Sequence, residues 1–138
     1  MAGMLDKVAF LYVEDDPLSR DVMEMLMEYV VGPKNLVMFE DSTDFMARLK
    51  QLTPRPDVIL LDIYVQPEDG FAMLEALRHD PDFQHVKVIA LTASVMEDEI
   101  ERLRRHGFDG VIGKPLDSTT FPDLLERIIK GEAVWRIL

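Results

Sequence analysis

Val58-Ile59-Leu60-Leu61-Asp62 reads as a strand with no polar face until its last position, which is a carboxylate. A strand with one wet face alternates apolar and polar residues. A continuous apolar run is buried on both faces, as in a parallel sheet covered by helices on each side. Two more runs share this property, Val8-Ala9-Phe10-Leu11-Tyr12-Val13 and Val88-Ile89-Ala90-Leu91. Strands are predicted over residues 8–13, 35–39, 58–61, 86–91 and 110–112.

Helical patterns fill the intervals. Residues 17–30 open after Asp16, a capping residue type, with Pro17 at the first helical position and Val22, Met23, Leu26, Met27 and Val30 as the apolar set. Residues 43–52 follow Ser42, read as a second cap. Residues 70–79, 96–106 and 121–130 complete the set, with Gly107 and Gly131 expected as left-handed caps of the last two. The order is (βα)₅. It predicts an α/β fold with right-handed crossovers and a doubly wound, five-stranded parallel sheet of order 2-1-3-4-5. Ligands of such sheets bind beyond the carboxyl ends of the strands, at the switch point.

Composition narrows the function classes. The chain has 138 residues, enough for one domain with one core, and 48% hydrophobic with 30% charged residues marks a globular protein. Its net charge of −11 argues against a nucleic-acid or anionic-membrane surface, both of which need clustered Lys and Arg. There is no cysteine, so disulfides and thiolate metal sites are excluded and a reducing compartment is compatible. No apolar run approaches the roughly 20 residues of a membrane span. The opening Met1-Ala2-Gly3-Met4-Leu5-Asp6-Lys7 lacks the apolar core of a secretory signal. A cytoplasmic location is the expectation.

The predicted strand ends carry a connected set of groups. Strand one ends in Glu14-Asp15-Asp16 and strand three in Asp62; these strands flank the switch point. Converging carboxylates repel unless a cation lies between them, and hard oxygen donors point to Mg²⁺. Strand four ends at Thr92, a hydroxyl, and strand five leads into Lys114, an ammonium. Singly, each residue is an ordinary cap or turn residue; Asp16 is read as a helix cap. Together, on one rim, they form a phosphoryl-transfer set.

On these segments the chain resembles the response-regulator receiver family, with its flavodoxin-like fold. The matching stretches are V-E-D-D-P-L-S-R (13–20), L-L-D-I-Y-V-Q-P-E-D-G-F (60–71), V-I-A-L-T-A-S (88–94) and G-F-D-G-V-I-G-K-P-L-D (107–117). Asp62 to Thr92 is 30 residues and Thr92 to Lys114 is 22, as expected of that family. The resemblance covers about residues 7–131 of a single domain, leaving 132–138 as a tail. It implies that Asp62 is the phospho-acceptor. Glu14 and Asp15 would hold Mg²⁺ with Asp62 and the backbone carbonyl of Tyr64. Thr92 would bind a phosphoryl oxygen, and Lys114 would pair with the phosphoryl group and with Asp62. The implied partners are a sensor histidine kinase or a histidine phosphotransfer protein upstream and another protein downstream. No nucleic acid or membrane is implied, and the chain is expected to be a monomer or weak dimer.

Three positions depart from the family pattern. Gln66 stands where a proline is common, with the proline displaced to Pro67, so a changed turn around an intact site is expected. Tyr64 places a bulky side chain at the mouth, opposite Ser94. Val111 stands where the switch aromatic usually sits, which shifts the expected conformational response to residues 93–98 and the fourth helix. Competing readings fare less well. An aspartate-nucleophile phosphatase needs a second Asp two residues after the first, where Tyr64 stands. A cofactor-binding flavodoxin needs a neutral phosphate loop where Glu14-Asp15-Asp16 would repel the phosphate. A phosphate sink or shuttle, or a phosphate-independent relative, is the alternative within the family. His79, His85 and His106 show no ligand spacing and read as surface or helix-end residues. Trp135, Ile137 and Leu138 are expected to pack back on the domain or fray, ahead of serving a partner.

Overall fold

In the computed structural model, which describes residues 7–32, 35–93, 96–132 and 134–135, the apolar runs lie side by side. The strands are β1 (Ala9–Val13), β2 (Asn35–Phe39), β3 (Val58–Asp62), β4 (Lys87–Thr92) and β5 (Gly110–Gly113). All pair in parallel in the order β2-β1-β3-β4-β5. The helices are α1 (Pro17–Leu26), α2 (Phe45–Lys50), α3 (Gly70–Arg78), α4 (Glu97–His106) and α5 (Phe121–Ile129). This is the expected doubly wound, flavodoxin-like sheet.

Every residue of β1 and β3 is buried, because each face of the sheet meets its own helical layer. Leu11, Val13, Ile59, Leu61, Val88, Ala90 and Val111 pack with residues of α2, α3 and α4. The alternate residues Phe10, Tyr12, Leu60, Ile89 and Ile112 pack with residues of α1 and α5. The period of two in a strand thus distributes each apolar run between two cores. Among the described residues no helix is long and apolar enough to cross a membrane.

Helix ends follow local chemistry. Asp16 caps α1, its Oδ2 accepting from the Ser19 backbone N–H at 3.0 Å, with Pro17 in the first turn. Acidic residues fill the first turn of α4 and Arg104, Arg105 and His106 the last, complementing the helix dipole. Gly107 and Gly131 take φ of 103° and 96°, the expected left-handed positions. His79 and His106 each turn Nδ1 onto a carbonyl of their own helix.

Two local features differ from expectation, and the tail, whose Trp135 packs back on the domain as expected, also adds to the sheet. The α-helix over 17–30 ends at Leu26 and continues as a π-helical turn, Met27–Val31, closed by the Gly32 N–H bonding the Met27 carbonyl five residues back. The second helix begins at Phe45 after Asp44, and Ser42 is not its side-chain cap. Instead the buried Ser42 hydroxyl donates to the Glu68 carbonyl at 2.7 Å and accepts the Glu68 N–H at 2.6 Å, while its own N–H meets the Gln66 carbonyl at 3.1 Å. With its hydroxyl held against a distant loop, Ser42 makes no side-chain bond to the helix end. Finally, the tail extends the sheet: Val134 bridges Gly110 in parallel, and its carbonyl accepts the Val111 N–H at 3.1 Å. Trp135 packs on the α4 side of the core with Arg104 over its ring at 5.2 Å. Ile137 and Leu138 lie outside the described residues.

Ser42→Ala is expected to cost about 1–3 kcal/mol, because it leaves both Glu68 backbone groups without their partner. Urea unfolding measures it; a loss well under this range would show that the loop does not depend on the hydroxyl.

Candidate functional site

The sheet brings the ends of β1, β3, β4 and β5 to one rim, and each carries a chemically distinct group. Glu14 and Asp15 leave β1, Asp62 is the last residue of β3, Thr92 the last of β4, and Lys114 follows β5. Backbone pairing holds them in register: the Glu14 N–H meets the Phe39 carbonyl at 3.0 Å and the Lys114 N–H meets the Thr92 carbonyl at 2.9 Å. Carboxylate oxygens of Glu14, Asp15 and Asp62 all lie within 4.8 Å of one another. Asp15 is exposed, Asp62 is 8% exposed, and Glu14 and Thr92 are buried.

The loop from β3 to α3 frames this rim. Its Gly70 N–H closes on the Ile63 carbonyl at 2.8 Å. A Cβ on Gly70 would stand 2.8 Å from Ile63 Cδ1 and 3.0 Å from Ile63 Cα, so only glycine permits the approach. The Gln66–Pro67 peptide within the loop is cis, as is Lys114–Pro115 beside the site. Tyr64 is exposed, and its hydroxyl donates to Glu99 of α4 at 2.9 Å. The ring therefore reaches toward α4. Ser94, expected opposite it, lies outside the described residues.

Lys114 does not rest mainly on Asp62. Its ammonium lies 2.5 Å from Oε1 of Glu14 and 3.7 Å from Oδ1 of Asp62. Two further groups, unmarked in the sequence, support Glu14. The buried Tyr12 hydroxyl donates to the same Oε1 at 2.8 Å, and Arg20 donates to the Glu14 backbone carbonyl at 2.8 Å. Tyr12 was hidden inside an apolar run, where an aromatic residue reads as core; its position two before Glu14 on one strand face is the only sequence signal.

These contacts divide the acid pair electrostatically. Asp62 is pushed up to about 7, first by burial and then by the hydrogen bond and charge of Glu14, against a smaller opposing pull from Lys114. For Glu14 burial is the largest influence and acts upward, but hydrogen bonds from Asp62, Lys114 and Tyr12 together outweigh it and hold the group below its ordinary value. Burial and Glu14 both drive the Tyr12 phenol upward, so it stays a donor. The rim can thus keep one carboxyl charged against an ammonium and a second poised to lose its proton when a cation arrives. The donor set, carboxylates without thiol or imidazole, suits a hard divalent ion.

The family model for the response regulator receiver domain matches residues 10–128. A probable C4-dicarboxylate response regulator DctR of Halalkalibacterium halodurans is 29% identical over 129 residues, which cover 94% of this chain and 53% of that protein. The polar-differentiation response regulator DivK of Brucella anthropi is 35% identical over 79 residues, 57% of this chain and 63% of its own length. The matches therefore span between half and two thirds of these relatives. The signal receiver domain of a histidine kinase from Syntrophus aciditrophicus superposes with a TM-score of 0.76 at 25% identity, covering 90% of this chain and 91% of that one. The receiver domain of a sensor histidine kinase from Pseudomonas aeruginosa, solved with magnesium in its active-site cleft, gives 0.77 at 24% identity, covering 90% and 98%. With the family match running from the first strand to the last helix, this chain belongs to the response regulator receiver domain family.

Proposed function

We propose that the protein accepts a phosphoryl group on Asp62 from a phosphohistidine of a sensor histidine kinase or histidine phosphotransfer protein, in the cytoplasm, and signals by contact with another protein. One observation carries the reading: in a receiver-family chain, Asp62 ends the central strand with two other carboxylates and an ammonium converging on it. Glu14, Asp15, Asp62 and the backbone carbonyl of Tyr64 are the groups that would hold Mg²⁺. Bound there, the ion would neutralise charge gathered around the phosphoryl group.

The chain's own residues supply the rest. An Asp62 oxygen forms the new bond to phosphorus as the bond from phosphorus to the donor imidazole breaks, and the imidazole nitrogen takes up a proton. Lys114, already 3.7 Å from Asp62, offsets charge on the transferred oxygens. Thr92 offers its hydroxyl from the neighbouring strand end. Val111, buried and without a ring, has no large side chain to swing. The route outward then runs through α4, which Tyr64 joins to the site by its bond to Glu99.

Incubation with acetyl phosphate, with and without Mg²⁺, followed by intact mass spectrometry tests the proposal. A single adduct that requires Mg²⁺ and is labile to acid as well as to base, as an acyl phosphate is, is expected; no adduct at any Mg²⁺ concentration defeats it. Tyr64→Ala should still form the adduct but change its decay several-fold, because the side chain borders the water's approach to phosphorus. Superimposable decay curves would remove Tyr64 from the account.

A further inference from the structure

Glu14 is the most deeply buried carboxylate of the rim, 1% exposed. Its Oε1 accepts two donors of different kinds: the Tyr12 hydroxyl at 2.8 Å and the Lys114 ammonium at 2.5 Å. Its Oε2 has the Asp16 N–H at 3.3 Å. The two donors differ in freedom. Tyr12 is 1% exposed and fixed within β1, its ring packed in the core beside α1 and α5. The Lys114 side chain is 20% exposed and already lies within 4 Å of Asp62, at 3.7 Å.

A phosphoryl group on Asp62, as in the function proposed above, would compete with Glu14 for the Lys114 ammonium and draw it off Oε1. A buried carboxylate oxygen stripped of its donor opposes that movement. The phenol removes the opposition, because it stays on Oε1 when the ammonium leaves. We propose that Tyr12 is a positioning residue for phosphoryl transfer: its hydroxyl keeps Glu14 satisfied and so frees Lys114 to exchange Glu14 for the phosphoryl group. The inference rests on the phospho-acceptor reading.

Tyr12→Phe keeps the ring that lines the groove with Leu18, Val22 and Leu116, so the fold should persist. Two affinities separate release from simple loosening. The first is for Mg²⁺ alone, by titration calorimetry; the second is for beryllofluoride at saturating Mg²⁺, followed by the shift in melting temperature. The expected result is a five- to tenfold loss of beryllofluoride affinity with Mg²⁺ affinity held within twofold, since the three carboxylates remain. If both affinities fall together, the hydroxyl merely stiffens the site and the proposal is overturned. If neither moves, Lys114 needs no such release and it is likewise overturned. Wild-type protein that binds Mg²⁺ but no beryllofluoride refutes the phospho-acceptor reading itself, and this inference falls with it; the variant's failure alone leaves that reading standing.

Discussion

In metal-free buffer at pH 8, Asp62→Asn should be more stable than the wild type by about 1–3 kcal/mol. The reason is the environment of the acid: burial, then the adjacent Glu14, raise Asp62 from 3.8 to about 7. A carboxyl raised in the folded state keeps a proton that the unfolded chain has already released. Stability therefore falls as pH rises from about 4 to about 7, and the full penalty of the charged form stands above that window. Water at the rim screens part of it, so the gain is set below the nominal linkage. Glu14 works in the opposite sense, but its change lies below its ordinary value of 4.5. Urea unfolding between pH 5 and 8 thus isolates Asp62: the wild type should lose stability across the range and the variant should stay nearly flat. Parallel curves would mean that Asp62 is not strained by its neighbours.

Magnesium should reverse the same strain. A cation that binds only the native state adds stability by linkage, about 2.7 kcal/mol at a hundred times its dissociation constant. For a domain of this size that is a rise of roughly 5–10 °C in melting temperature. Asp15 is the exposed member of the cluster. Asp15→Asn should cut the rise by more than half while leaving the metal-free melting temperature equal or higher, because one of three repelling charges is gone. A melting temperature indifferent to Mg²⁺, or a full response in the variant, contradicts a metal site on these carboxylates.

The parts of this architecture that follow from period and order were legible in the sequence. Runs such as 58–61 have only one comfortable setting, a parallel strand covered on both faces, and alternation with helices then places Asp62, Thr92 and Lys114 on one rim. Groups whose roles depend on contacts across the fold were not. Ser42 looks like any helix cap until its partner Glu68, 26 residues away, is brought beside it. Tyr12 looks like core because a strand pattern cannot say which buried ring carries its hydroxyl to a carboxylate. The preference of Lys114 for Glu14 over Asp62 is a matter of ångströms among four groups, and spacing holds no record of it. The bridge from Val134 to Gly110 likewise depends on a free sheet edge that no local signal announces.

One particular carboxylate at this rim, Asp62, is the proposed site of acyl phosphate formation. Borohydride reduces an acyl phosphate to the alcohol, so an aspartyl phosphate is converted to homoserine and its position recorded in the chain. Protein treated with acetyl phosphate and Mg²⁺, reduced with borohydride, digested and sequenced by tandem mass spectrometry should carry homoserine at residue 62 alone, and only when Mg²⁺ was present. Reduction at Glu14, Asp15 or Asp16 instead, or no reduced residue at all, would contradict the account.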